Sequence, residues 1–374
     1  MIYLDNSATT YPKPDVVYEG INYASKHLAF NAGRGNYKEA NEALKIIELT
    51  RQNVGGLVKV NKNNVVFLSS ATEALNQIIN GLQINENDNI YISPFEHNSI
   101  IRPLHNLQKK INFKIHIIPF NFEKWELKNE EMLNMFACYN PNYVFISHVS
   151  NVTGYILPYE KIFMASKSYK AINILDSAQA FGVLNPQIDN CDFIVFAGHK
   201  SLYASFGIAG FINVNDIVLD ITKSGGNGSD SLNPEMPAHT YRRYESGTPN
   251  VIAIYSLLKS VEWLKQQNIY EHEKKLVTYC LEKMKNNKKI KVYSPMSEKN
   301  LGIISFNIVG YTAEDVGVIL SDEFDICVRT GYHCSPLVHN FIGTNEIGGT
   351  VRISFSAFNN YEEIDSLINA LNTL

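Results

Sequence analysis

AINILDSAQAFGVLNPQIDNCDFIVFAGHKSLY (171–203) is the stretch that decides the fold. It contains two nearly continuous apolar runs, 171–176 and 193–198, of the kind expected for strands buried on both faces. Each run hands over to polar residues. The first closes on Asp176, with Gln179 three positions on; the second gives Gly198, His199 and Lys200. In an open α/β sheet, ligands bind outside the carboxyl ends of the strands, so these residues are candidates for a site.

Working outward, similar runs appear at NVVFLSS (64–70), NIYISPF (89–95), FKIHIIPF (113–120), YVFISHVS (143–150) and IAGFINV (208–214). Helical patterns lie between them, for example at 39–53 and 72–82. The alternation predicts an α/β domain with a large, mostly parallel sheet. Past residue 250 the pattern changes. An amphipathic helix at 251–267 leads into a smaller α+β C-terminal domain, with strands expected at 302–309, 326–330 and 350–356 and a closing helix at 361–374. The expected division is a large domain of residues 15–250 and a small one of 1–14 plus 251–374. SGGNGSDS (224–231) reads as a mobile surface loop, because no helix pattern opens directly after it as a phosphate cradle requires.

Composition narrows the function classes. The 374 residues are 45% hydrophobic and 19% charged, with a net charge of 33 − 37 = −4. No basic face suggests nucleic acid, and no polybasic segment suggests a membrane surface. No apolar run approaches the ~18 residues of a membrane span, and the first residues lack the features of a signal peptide. Five cysteines (138, 191, 280, 327, 334) without a C-x-x-C pair argue against a disulfide framework or a cysteine zinc site, so no metal is expected. A cytoplasmic location fits best.

Polar residues cluster just past the strand runs: Ser70-Ala71-Thr72, His97, Asn151, Asp176 with Gln179, and His199-Lys200. Each has a job in a pyridoxal 5'-phosphate (PLP) site. Asp176 would keep the pyridine nitrogen protonated, and Lys200 would hold the aldehyde as a Schiff base. The first-turn N–H groups at Ala71 and Thr72 form an anion site for the phosphate. His97 would stack on the ring and move protons, and Gln179 would bond the phenolic oxygen. Gly198 would let the backbone approach the cofactor. Taken singly, plainer readings exist: Asp176 as a helix N-cap, Lys200 as a surface lysine, and Ser70-x-x-Glu73 as a capping box.

Taken together, LDNSATTYPKP (4–14), NAGRGN (31–36), ATEALN (71–76), SNVTG (150–154), DSAQAFG (176–182), GHKSLY (198–203), YESGTPN (244–250) and RTGYHCSP (329–336) resemble class V aminotransferase-fold PLP enzymes. More narrowly they resemble the cysteine desulfurases of the short-loop, group II-like type. The resemblance implies PLP fold type I and a homodimer. It implies that Lys200 carries the cofactor, Asp176 pairs with the pyridinium, and Ala71, Thr72 and His199 hold the phosphate. Thr248 would reach the phosphate of the partner copy. Asn151 and Arg352 would bind the α-carboxylate of L-cysteine, where a guanidinium fits in bidentate fashion. Cys334 would take the sulfur as a persulfide, with Arg329 and His333 lowering the thiol pKa. A sulfur-acceptor protein would discharge it.

Three positions depart from the family pattern. Ala197 stands where Ser or Thr is usual, Tyr332 replaces the first His of the R-x-G-H-H-C-A motif, and Ser335-Pro336 follows the cysteine. The expected activity is conversion of L-cysteine to L-alanine. Selenocysteine lyase, C–S lyase or a small amino-acid aminotransferase on the same fold is the alternative, and an inactive PLP-binding scaffold is a remote one.

Overall fold

The structure, a computed structural model, describes residues 1–33, 35–227, 232–238 and 241–374. Arg34 of NAGRGN and residues 228–231 of the expected loop lie outside the described residues.

The large sheet has seven strands: β1 (Val65–Leu68), β2 (Asn89–Ile92), β3 (Lys114–Ile117), β4 (Tyr143–Ser147), β5 (Ile172–Asp176), β6 (Phe193–Ala197) and β7 (Ala209–Asn213). Their spatial order is β1-β7-β6-β5-β4-β2-β3. All neighbours are parallel except β7, which runs antiparallel to both β1 and β6. The apolar runs alternate by residue between two cores, as strand periodicity requires. Phe67, Tyr91, Ile146, Leu175 and Ile194 enter one core, together with Ile47, Phe136, Phe163 and Leu257 from helices. Val66, Ile92, Phe145, Ile174 and Val195 enter the other, against Leu75, Ile78 and Leu104. With both faces covered by helices, the strand ends are where polar side chains can meet a ligand.

The helix Val251–Leu264 packs Val251, Ile254, Leu257 and Val261 into the first of these cores. A separate core gathers Leu276, Val277 and Cys280 with Ile304, Phe306, Val351, Ile353, Leu367 and Leu371, and Leu4 joins it from the amino end. Its sheet is antiparallel: β8 (Ile290–Val292), β9 (Ile303–Ile308), β10 (Arg329–Gly331) and β11 (Thr350–Ser354), in the order β8-β9-β11-β10. The single strand expected at 326–330 is two. Ile326–Cys327 pairs in parallel with Ile2–Tyr3, and Arg329–Gly331 joins β11. The first ten residues therefore bridge the two sheets. Leu4 exchanges backbone bonds with Cys327 and Ser354, and Thr10 N–H donates to His199 O (3.1 Å).

Candidate active site

Ser70 caps the helix Ala71–Gly81, its Oγ accepting from Glu73 N–H (3.1 Å). The reciprocal half of the expected box is displaced. Glu73 accepts from Ser69 N–H (3.0 Å) and pairs with Lys223 (3.1 Å). The unpaired first-turn N–H groups of Ala71 and Thr72 belong to residues that line a cavity. Thr72 Oγ1 lies 2.8 Å from Ser99 Oγ, which lies 2.8 Å from His97 Nδ1. Ser99 N–H also donates to that nitrogen (3.0 Å), so Nδ1 is the acceptor and the ring proton belongs on Nε2. Burial, reinforced by Lys200, pushes the His97 pKa down to about 3 and keeps the ring neutral.

Asp176 ends β5, and its Oδ1 accepts from Ala178 N–H (3.0 Å). It caps a turn here, since no helix starts after it. Burial raises its pKa, opposed by Ala178 N–H and Lys200; burial lowers that of Lys200, opposed chiefly by Asp176. Each is thus pulled toward its neutral form, which leaves Lys200 nucleophilic and Asp176 in want of a cationic N–H partner. Gln179 donates from Nε2 to Ser7 O (3.0 Å) and accepts from Ser7 Oγ (3.3 Å), which leaves its second Nε2 hydrogen for a ligand. His199 stacks on Phe206 (4.9 Å between centroids), and its pKa is pushed down to about 4 by burial. Its Nδ1 is buried without a hydrogen-bond partner.

A Cβ at Gly198 would sit 2.5 Å from Ile208 O, so the neighbouring backbone requires glycine here whatever a ligand requires.

Arg352, on β11, is 2% exposed. It donates from Nη1 to Asn151 O (2.9 Å) and from Nη2 to Asp5 (2.6 Å), while its Nε is buried without a partner. Asn151 Nδ2 donates to His333 O (2.7 Å), which places the Cys334 turn beside the same group. Cys334 is exposed, with Arg329 Nη2 3.7 Å from its Sγ. His333 and Cys334 are both in the left-handed region, at φ +50° and +60°. His333 does not face the thiol as a cation. Its Nε2 is on Thr350 (O 3.0 Å, Oγ1 2.9 Å), and burial drives its pKa well down, so it anchors the turn as a neutral ring.

Ala71, Thr72, His97, Asn151, Asp176, Gln179, His199 and Lys200, called from separate parts of the chain, line one cavity, with Ala197 at its wall. Thr248 does not share it; it lines a second cleft with Arg51, Tyr241 and Glu245. Sequence reading missed four contributors. Ser99 links Thr72 to His97; Ser7 holds Gln179; Asp5 pairs with Arg352; and buried Glu96, bonded to Ser93 and Ser147, lies beneath the site. Asp5 and Ser7 lie inside LDNSATT and Glu96 precedes His97, so adjacency to a motif was the available signal.

The residues fit a PLP group. A buried carboxylate, a partly buried amine, an orphaned imidazole nitrogen and a free helix N-terminus surround one cavity. Residues 2–367 match the Aminotransferase class-V family.

The chain belongs to that family, among its cysteine desulfurases. It is 33% identical to the cysteine desulfurase of Wigglesworthia glossinidia brevipalpis, over 99% of this chain and 92% of that protein. It is 30% identical to a probable cysteine desulfurase of Pyrococcus abyssi, over 100% and 94%. The apo structure of the Thermococcus onnurineus NA1 cysteine desulfurase superposes with a TM-score of 0.93 at 27% identity, covering 100% of this chain and 94% of that one. The family is PLP-dependent, and among the described residues no helix is long and apolar enough to cross a membrane.

Proposed function

We propose that this chain is a PLP-dependent L-cysteine desulfurase in which Lys200 carries the cofactor and Cys334 takes the sulfur. The observation that carries the reading is the meeting of Asn151 with both the Cys334 turn and Arg352, which puts a thiol, a carboxylate-binding pair and the Lys200 cavity side by side.

Asp176 would hold the pyridine nitrogen, His199, Thr72 and the Ala71–Thr72 backbone the phosphate, Gln179 the phenolic oxygen, and His97 one ring face. When bound, the cofactor supplies an electron sink that makes the substrate's Cα proton acidic. Burial lowers the Lys200 pKa and so favours the neutral amine, which would accept that proton. The unpartnered Arg352 Nε and the Asn151 amide receive the α-carboxylate. Arg329 Nη2, 3.7 Å from Sγ, would hold the Cys334 sulfur in place. The thiolate forms an S–S bond with the substrate sulfur. The Cβ–S bond breaks with its electron pair left on carbon, which is protonated to give alanine, and Cys334 remains as a persulfide.

By the same reading the enzyme works in the cytoplasm as a homodimer, Thr248 serving the partner copy's phosphate, and a sulfur-acceptor protein discharges Cys334. The test is mass spectrometry of the intact protein after L-cysteine. One added sulfur mapped to Cys334, with alanine as product, supports the reading. Pyruvate and ammonia, or turnover dependent on a keto acid, would overturn it.

A further inference from the structure

One side chain spans the residues on either side of the nucleophile. Asn151 Nδ2 donates to His333 O (2.7 Å), and Asn151 Oδ1 accepts from Ser335 Oγ (2.6 Å). The two bonds agree. The His333 carbonyl can only accept, so it faces the NH₂ end of the amide, and the Ser335 hydroxyl donates to the Oδ1 end and holds the amide in that orientation. Ser335 is fully buried and Asn151 7% exposed, so neither hydroxyl nor amide has bulk water to fall back on. Asn98 N–H donates to Cys334 O (2.7 Å), a further tie on a turn whose two central residues hold positive φ. Ser335 stands where the short-loop motif usually carries alanine, so this orienting bond is a property of this sequence.

An amide NH₂ has two hydrogens. His333 O uses one. The other remains available to a ligand, on a residue whose backbone carbonyl accepts from Arg352 Nη1 (2.9 Å). We propose that Ser335 is a positioning residue: it fixes the Asn151 amide so that one N–H holds the nucleophile turn while the other meets the substrate's α-carboxylate. Substrate and nucleophile are then located from a single side chain, and occupancy of one N–H stiffens the group that holds the other. The inference rests on the desulfurase reading for the identity of the substrate, while the coupling itself does not require sulfur transfer.

The experiment compares wild-type holoenzyme with Ser335→Ala. Steady-state kinetics with L-cysteine is one arm. Amide hydrogen exchange of residues 329–336, with and without L-alanine as a non-transferring probe carrying the same α-carboxylate, is the other. One lost hydrogen bond corresponds to about a fivefold effect. In S335A, KM rises about that much, with the loss in kcat/KM lying chiefly in KM, and the turn exchanges about fivefold faster. In wild type, L-alanine slows exchange of the turn, and in S335A this slowing is reduced. Unchanged KM and exchange in S335A, even with lower thermal stability, would reduce Ser335 to a packing residue and overturn the proposal, as would faster exchange of the wild-type turn with L-alanine. A Cys334→Ala enzyme that still desulfurates cysteine would sink the functional reading instead, leaving the exchange result to be judged by itself.

Discussion

Arg352 Nη2 lies 2.6 Å from Asp5 Oδ1, a contact across 347 positions of sequence. The guanidinium is buried, so it needs a counter-charge, and Asp5 supplies one without occupying Nε. The pair leaves Arg352 aimed and charged before substrate arrives.

Arg352→Lys removes the planar fork while keeping a charge. KM for L-cysteine is expected to rise about ten- to a hundredfold, the value of one or two charge-assisted hydrogen bonds. Asp5→Asn, which only loosens the aim, is expected to raise it by less. Steady-state kinetics on both variants checks the order.

Lys200→Ala is expected to lower turnover by about 10²–10⁴, the usual contribution of a positioned base. Borohydride reduction followed by peptide mapping should tag residue 200 in the wild type and tag nothing there in the variant. A tag elsewhere in the wild type would reassign the cofactor lysine.

Cys334→Ser should leave the visible absorption of the holoenzyme, and its shift on adding L-cysteine, intact, because the residue is exposed and outside the Lys200 cavity. Alanine formation is expected to fall at least about a hundredfold, since hydroxyl oxygen is not the thiolate the transfer needs.

Glu96 gives a pH signature. It is buried, accepting from Ser93 Oγ (2.5 Å), Ser147 N–H (2.8 Å) and, at Oε2, bonded to Ser147 Oγ (2.8 Å). Burial, with a smaller push from Asp176, raises its pKa to about 8 from an ordinary 4.5. A folded-state pKa above the unfolded one contributes stability that is complete below pH 4.5 and is lost as pH rises through 8. Glu96→Gln keeps the shape and the bonds of the protonated acid but cannot ionise. Thermal denaturation should show E96Q close to wild type at pH 5 and more stable at pH 8. Parallel curves at both pH values would contradict the assignment.

Gly198→Ala is expected to destabilise the fold by about 1–3 kcal/mol, as overpacking does. The new methyl meets the backbone oxygen of Ile208 at 2.5 Å, and backbone cannot swing aside as a flexible side chain can. Denaturant titration reads the loss directly.

Much of the large domain was legible because its signals are local. Strands buried on both faces must be apolar throughout, so β1 to β7 fall inside the runs read at 64–70, 89–95, 113–120, 143–150, 171–176, 193–198 and 208–214. The rule that ligands sit past strand ends then selected Thr72, His97, Asn151, Asp176 and Lys200, all of which line one cavity. Less local features escaped. The run at 326–330 split between two sheets because its partners, Ile2–Tyr3 and Thr350–Ser354, come from opposite ends of the chain.

The sequence by itself determined the alternation of elements, the edge on which polar residues gather, and the motifs placing this chain among PLP enzymes. These follow from side-chain periodicity and from residue types at fixed spacing, which are properties of neighbours along the chain. The tertiary structure alone decided what each group touches. It paired Arg352 with Asp5, turned His333 away from the thiol onto Thr350, set Gly198 against Ile208, and tied Ser335 to Asn151. Hydrogen bonds and close contacts act over a few ångströms, whereas these partners lie from ten to nearly 350 residues apart. Only the folded chain brings them within range.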